Sequence, residues 1–87
     1  MTEVLLADEV RDRLGELGEF APGATDLILE AMSVLERHPL IGREVGDGYR
    51  ELIISRGRTG YVALYRFLEA RNLVRVVALR HQRELGE

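Results

Sequence analysis

The hydrophobic pattern of this chain changes its period near the middle, and this change constrains the fold more than any other feature. Up to Arg37, apolar residues recur at every third or fourth position, as on one face of an α-helix. From Tyr49 onward, short runs rich in Val, Ile, Leu and Tyr are separated by polar gaps, which is typical of β-strands. Helices that precede the strands, rather than alternate with them, predict an α+β fold.

The first part of the chain predicts a short N-terminal strand and a helix hairpin. Residues 4–6 form the strand, and Asp8 is expected to cap the first helix through its carboxylate. A second helix is predicted over residues 24–37 and ends at His38, because the residue before a proline is disfavoured in the α region. The short loop between two amphipathic helices predicts that they are antiparallel. The apolar residues expected to be buried against a sheet are Leu14, Leu17, Leu27, Ile28, Ala31 and Leu35.

The second part predicts three strands, over residues 49–56, 61–68 and 73–80. The gaps between them are of hairpin length, so the strands form an antiparallel meander and the element order is β-α-α-β-β-β. Residues 38–48 are expected to form a loop. Strict alternation gives the last strand one face made of Val74, Val76 and Ala78. The last two strands are apolar on both faces, so one face is expected to pack on the helices and the other to meet a partner.

Composition argues against several kinds of site. The 87 residues are expected to form one domain, 1–87. The chain has no cysteine, and His38 and His81 lack the spacing of metal ligands, so neither a metal nor another cofactor is expected. No uncharged run approaches the roughly 20 residues that cross a bilayer, and the first residues do not resemble a signal peptide. A cytoplasmic protein without membrane contact is therefore expected.

Charge is distributed unevenly along the chain. All 12 basic residues are arginine, and the net charge of −3 divides into −7 over residues 1–36 and +4 over residues 37–87. An anionic partner is therefore expected to meet the C-terminal half.

Five segments carry a resemblance to a known group of proteins. Residues 6–10 resemble its strand-to-helix entry, and residues 37–43, with their His-Pro pair and glycine, resemble its exit from the second helix. Residues 50–54 and 60–66 look like its second and third strands, and residues 76–84 look like its last strand with a basic exit. In this order the segments resemble the RelE/ParE superfamily of bacterial toxins, also called plasmid stabilization proteins, over essentially the whole chain.

The resemblance implies a bacterial growth-arrest protein, the toxin of a type II toxin–antitoxin system, neutralised by a cognate antitoxin whose C-terminal segment wraps around it. It also implies one of two targets. ParE-like members poison DNA gyrase without hydrolysing anything, whereas RelE-like members cleave messenger RNA, typically on the ribosome.

Three positions favour the ParE-like branch. The second-strand positions that are basic in RelE-like ribonucleases look like Ile53 and Ser55 here, and the position after the Gly-Tyr pair is Val62. A net charge of −3 also suits a ribosome-binding nuclease poorly, because phosphate contacts dominate such affinity. We therefore expect a toxin that binds its target rather than an enzyme. The candidate target contacts are Arg56, Arg58, Arg80 and Arg83.

Two alternatives remain open from the sequence. Other branches of the superfamily are ribonucleases that use glutamate, arginine and histidine, and His81 can act as an acid or a base near neutral pH. A metal-independent endoribonuclease would take its catalytic candidates from Arg66, Arg80, His81 and Glu84. A further alternative is a non-toxic relative that keeps only antitoxin binding.

Overall fold

Two helices pack on one face of a five-stranded sheet in the computed structural model, which describes residues 1–55 and 60–81. The elements in chain order are β1 (Glu3–Leu6), α1 (Asp8–Phe20), α2 (Pro22–Arg37), β2 (Arg43–Gly46), β3 (Tyr49–Ile53), β4 (Tyr61–Leu68) and β5 (Leu73–His81). A 3-10 turn over Glu69–Arg71 joins β4 to β5. The predicted α+β class and the order of strand, two helices and strands are confirmed, with β2 as an added strand.

The strand order in the sheet is β1-β5-β4-β3-β2. Neighbouring strands from β2 to β5 are antiparallel, which confirms the predicted meander, and β1 lies parallel to β5 at the edge. A parallel neighbour requires a crossover connection. Here that connection contains the helix hairpin, which crosses one face of the sheet from β1 at one edge to β2 at the other, and then the strands β2 to β4. That face is called the helix face below, and the opposite one the outer face.

The strand β2 lies in the segment that the sequence analysis assigned to a loop, so that assignment was wrong. Gly46 pairs with Tyr49, which leaves Asp47 and Gly48 as a two-residue turn with φ of 55° and 82°. Positive φ at both central residues is what a type I′ hairpin turn requires, and Asp-Gly is a preferred sequence for it. All four residues of β2 are exposed, so its sequence lacks the alternation of apolar and polar residues that predicts a strand.

The helix ends also differ from the prediction. Ala7 precedes α1 and makes no side-chain cap, while Asp8 is already in the first turn, so Asp8 is not the cap that we expected. Its carboxylate there still interacts favourably with the helix dipole. α2 begins at Pro22, two residues before the predicted start at position 24, since proline is well suited to the first turn of a helix. Ala21 alone joins the two helices.

The core forms where the helix hairpin meets the helix face of the sheet. Its buried members are Val10, Ile28, Met32, Leu35, Tyr61, Ala63, Tyr65, Val74, Val76 and Leu79. The expected burial of Ile28 and Leu35 is confirmed, and the partly buried Leu14, Leu17 and Ala31 pack against this cluster. The same expectation was wrong for Leu27, which is 46% exposed.

A β-bulge changes which residues of β5 reach the core. Leu64 pairs with Ala78 whereas Tyr65 pairs with Val76, so Val77 is the extra residue. An extra residue reverses the alternation beyond it. Leu79 therefore joins the core, and Ala78 lies on the outer face instead of sharing a face with Val76 as predicted.

The hydroxyl of Tyr65 ties the middle of the sheet to the loop that follows α2. This hydroxyl donates a hydrogen bond to the carbonyl of Pro39 and accepts one from the N–H of Gly42, both at 2.8 Å. A Cβ atom at Gly42 would lie 2.7 Å from the ring of Tyr65, so the loop can approach only with glycine there. Arg50 holds the same loop by donating to the carbonyls of Gly42 at 2.7 Å and Leu40 at 3.2 Å.

Removing the Tyr65 hydroxyl should destabilise the fold. In Tyr65→Phe the loop loses both hydrogen bonds while the ring stays, so we expect the free energy of unfolding to fall by about 1–3 kcal/mol. Tyr61→Phe is the matched control, because Tyr61 is also buried on β4 but its hydroxyl makes no hydrogen bond within the described residues. Urea denaturation of both variants tests this. Equal losses, or a larger loss in Tyr61→Phe, would contradict the role assigned to Tyr65.

The same group predicts a loss of stability at alkaline pH. Burial raises the pKa of the Tyr65 hydroxyl above its ordinary 10.0, while the hydrogen bond from Gly42 and the charge of Arg50 act in the opposite direction. Above the ordinary value the unfolded chain loses this proton while the folded chain keeps it, so the free energy of unfolding decreases as pH rises. Urea titrations at about pH 9 and about pH 11 should show this decrease in the wild type and a smaller one in Tyr65→Phe. An equal decrease in both proteins would contradict the assignment of this pH dependence to the Tyr65 hydroxyl.

Candidate functional site

A groove runs between α2 and β3 on the helix face of the sheet. It encloses about 230 Å³ and is apolar apart from one glutamate. Its lining residues are Leu27, Glu30, Ala31, Val34, Leu52, Ile53 and Ile54. Leu27 on the apolar stripe of α2 is 46% exposed, so the sheet does not cover this stripe completely.

The strand that borders this groove has a free edge. β2 pairs with β3 only as far as Glu51, so within the described chain Leu52 and Ile53 have β4 on one side and no strand on the other. The N–H of Ile54 donates inward to the carbonyl of Tyr61 at 2.8 Å, so the alternation of antiparallel pairing turns the N–H of Ile53 outward. An apolar groove beside an outward-facing strand edge is suited to an extended peptide that adds to the sheet.

A second groove lies on the other side of α2, against β1. It encloses about 210 Å³ and contains Leu29, which is 51% exposed, together with the polar residues Ser33 and Glu36. The two grooves make α2 a helix with apolar side chains exposed on both flanks.

The outer face presents a row of side chains across four strands. We call Tyr49, Arg66, Arg75 and Leu5, which are neighbours in the pairing of β3, β4, β5 and β1, the arginine row. The guanidinium of Arg66 lies 4.7 Å from the centre of the Tyr49 ring and donates to the carbonyl of Asp47 at 2.7 Å. The ring of Tyr49 is thus a platform for a cation.

Sequence reasoning did not single out Arg75. A single charged residue between Val74 and Val76 indicates which face of this apolar strand is exposed. Which residue of β4 lies next to Arg75, however, depends on the register between β4 and β5. The 3-10 turn sets that register, and it has no clear sequence signal.

The structure does not bring the described catalytic candidates together. Arg80 lies 3.5 Å from the carboxylate of Glu9 on α1, and His81 packs edge-on against the ring of Tyr61, with centroids 5.1 Å apart. Arg66 is five residues further along β4 than Tyr61, which is about 16 Å at about 3.3 Å per residue. Consecutive strand residues also point to opposite sides, so Arg80 and His81 diverge. Glu84 lies outside the described residues.

The candidate target contacts are mostly beyond what the structure describes. Arg56, Arg58 and Arg83 lie outside the described residues, so their role stays a prediction. Arg80 is half-exposed and its pairing with Glu9 is a surface ion pair, which contributes about 0–1 kcal/mol and leaves the guanidinium available to another anion.

The outer face exposes less apolar surface at its centre than the sequence suggested, because Val62 and Ala78 are only 5% and 7% exposed. Across residues 1–55 and 60–81 there is no cluster of His, Asp and Glu suited to a metal ion. No helix within these ranges is long and apolar enough to span a membrane.

Comparisons with known proteins agree on one family and one fold. The family described as "ParE toxin of type II toxin-antitoxin system, parDE" matches residues 4–86. A chain in the crystal structure of the intact E. coli RelBE toxin–antitoxin complex has the same fold, with a TM-score of 0.76 and 12% sequence identity, covering 93% of this chain and 96% of that one. At this identity the likeness concerns the fold alone. No curated protein sequence matches this chain.

Proposed function

The chain belongs to the ParE toxin family of type II toxin–antitoxin systems, and on that premise we propose that it arrests growth by binding its target, without catalysis. The target that we infer is DNA gyrase, as in the ParE-like branch of the superfamily. Membership in the family implies an antitoxin partner, and we propose that this partner neutralises the toxin through the α2–β3 groove.

The separation of the catalytic candidates is the observation that carries the non-catalytic proposal. Acid–base catalysis needs its groups within hydrogen-bond reach of the reacting atoms. His81 on β5 pairs with Tyr61, whose position on β4 is about 16 Å from that of Arg66 at about 3.3 Å per residue, and Arg80 lies against Glu9 of α1. The positions that are basic in RelE-like ribonucleases are Ile53, which lines the groove, Ser55, which is uncharged, and the buried Val62.

The energetics of phosphoryl chemistry support the same proposal. Each electrostatic contact to the charge that develops in the transition state contributes about 2.7–4 kcal/mol, or roughly 10²–10³ in rate. A site that lacks several such cations retains little activity, so growth arrest has to come from binding.

The α2–β3 groove supplies what an antitoxin segment needs. Leu27 and Ile53 expose apolar surface that a partner can cover, and the outward N–H of Ile53 can donate a hydrogen bond to a backbone carbonyl of the partner. A few apolar anchors in such a groove usually supply most of the affinity. The second groove against β1 is more polar, so we assign the antitoxin to the side of β3.

A charge placed in the groove should prevent antitoxin binding. Leu27→Glu would put a carboxylate in the apolar groove, and we expect the affinity for the product of the adjacent gene to fall at least about tenfold. The free chain should stay folded, because Leu27 is already 46% exposed. Leu29→Glu is the matched control on the other flank of α2. Calorimetric titration checks both variants, and the opposite ranking would place the antitoxin against β1.

The activity of the free protein tests the mechanism. Purified chain should leave RNA intact, alone and on ribosomes, and should inhibit gyrase acting on supercoiled DNA. Growth arrest on expression should survive His81→Ala and weaken in the double variant Arg80→Ala, Arg83→Ala, because a binding mechanism needs the cations and not the imidazole.

Two outcomes of these assays would overturn the proposal. Specific RNA cleavage that His81→Ala or Glu84→Ala abolishes would identify an endoribonuclease. Normal growth together with intact antitoxin binding would identify a non-toxic relative.

A further inference from the structure

Two arginines are cross-strand neighbours on the outer face, and the described part of the chain gives neither of them a counter-charge. Arg66 on β4 and Arg75 on β5 are direct cross-strand partners, and both are exposed. Like charges in this arrangement destabilise a sheet. Within residues 1–55 and 60–81, no carboxylate lies within ion-pair distance of either guanidinium.

Other arginines of the sheet have such partners, which makes this pair distinctive. Arg43 pairs with Glu51 at 2.8 Å on the outer face. Arg80 lies 3.5 Å from Glu9. Arg66 and Arg75 are therefore the main arginines on the outer face of the described sheet that no carboxylate neutralises.

Arg66 is held in place before any ligand arrives. Its guanidinium stacks on the Tyr49 ring and donates one N–H to the carbonyl of Asp47. Gly48 permits this position, because a Cβ atom there would lie 3.1 Å from Nη2 of Arg66. A guanidinium fixed in this way loses little conformational entropy when it binds an anion, and its remaining N–H groups stay available.

Apolar side chains surround the pair. Leu5 follows Arg75 at the end of the arginine row and is 43% exposed. The half-buried Leu64 and Leu68 flank Arg66 along β4, and Leu73 lies beside Arg75 across from Leu68. A ligand on this surface therefore meets two cations within an apolar surround.

We propose that Arg66 and Arg75 bind a carboxylate from an acidic, apolar-flanked peptide segment of a partner protein. Guanidinium groups bind carboxylates through paired, charge-assisted hydrogen bonds, and an anion between the two arginines removes their mutual repulsion. The inference rests on the proposed function in one respect, namely that the segment belongs to the cellular target and not to the antitoxin.

A peptide fits these observations better than a nucleic acid does. Nucleic-acid affinity comes from many phosphate contacts, whereas the chain carries a net charge of −3 and this face offers two unneutralised arginines. The leucines around these arginines can contact apolar side chains that flank an acidic residue of a peptide. A phosphate backbone has no apolar groups that could cover these leucines.

The direct test uses a labelled synthetic peptide of alternating leucine and aspartate residues, the same peptide with asparagine for aspartate, and a single-stranded DNA oligonucleotide. Fluorescence anisotropy should show the aspartate peptide bound at least about tenfold more tightly than the asparagine peptide. Arg66→Gln and Arg75→Gln should each remove about tenfold of that affinity. Arg43→Gln is the control on the same face, because Glu51 already engages Arg43, and it should change the affinity less than about twofold.

Thermal unfolding of the variants shows that they are folded and tests the repulsion independently. Arg75→Gln should have a higher Tm than the wild type at low ionic strength, and the gain should shrink as added salt screens the charges. Equal binding of the two peptides, tighter binding of the oligonucleotide, or affinity unchanged by both Arg66→Gln and Arg75→Gln would overturn the proposal.

The assignment to the target is tested separately. Arg75→Gln should abolish growth arrest while antitoxin binding stays as in the wild type. A weakened antitoxin complex would instead overturn that assignment. If the wild-type chain does not arrest growth, the proposed function fails, but the peptide titration still decides whether Arg66 and Arg75 bind a carboxylate.

Discussion

The hydrogen-bonded hydroxyl of Tyr65 is the interaction on which the arrangement of both surfaces depends. It connects the central strand of the sheet to the loop after α2, which Arg50 also holds. This loop determines where α2 ends and where β2 begins. Since β2 starts only at Arg43, it covers β3 as far as Glu51 and leaves the edge beside the groove free. The same hairpin carries the turn at Asp47 that receives Arg66.

β3 links the two proposed binding surfaces. Ile53 borders the groove at one end of β3, and Tyr49 supports Arg66 at the other end. The side chains of Ile53 and Tyr49 both lie on the outer face, because every second residue of a strand points to the same side of the sheet. Under both proposals, the antitoxin and the target bind near opposite ends of β3.

The sequence predicted the class of fold well, because that depends on hydrophobic periodicity, which is strong in α2 and β4. The limits of β4 were predicted as residues 61–68, and the structure has Tyr61–Leu68. The strand β2 was missed since it is short and fully exposed, and the bulge at Val77 reversed an alternation that periodicity alone assumes. Leu27 was expected in the core because the sequence shows an apolar stripe on the helix but not how much of that stripe the sheet covers.

The central claim, that a partner adds to the free edge of β3, is tested most directly at a single backbone amide. Hydrogen exchange measured by NMR reports the opening of individual amides, and the N–H of Ile53 faces the free edge. Addition of the antitoxin should slow exchange at Ile53 strongly and leave the amide of Val4, on the opposite edge strand β1, unchanged. Unchanged exchange at Ile53, together with new protection along β1, would contradict the account.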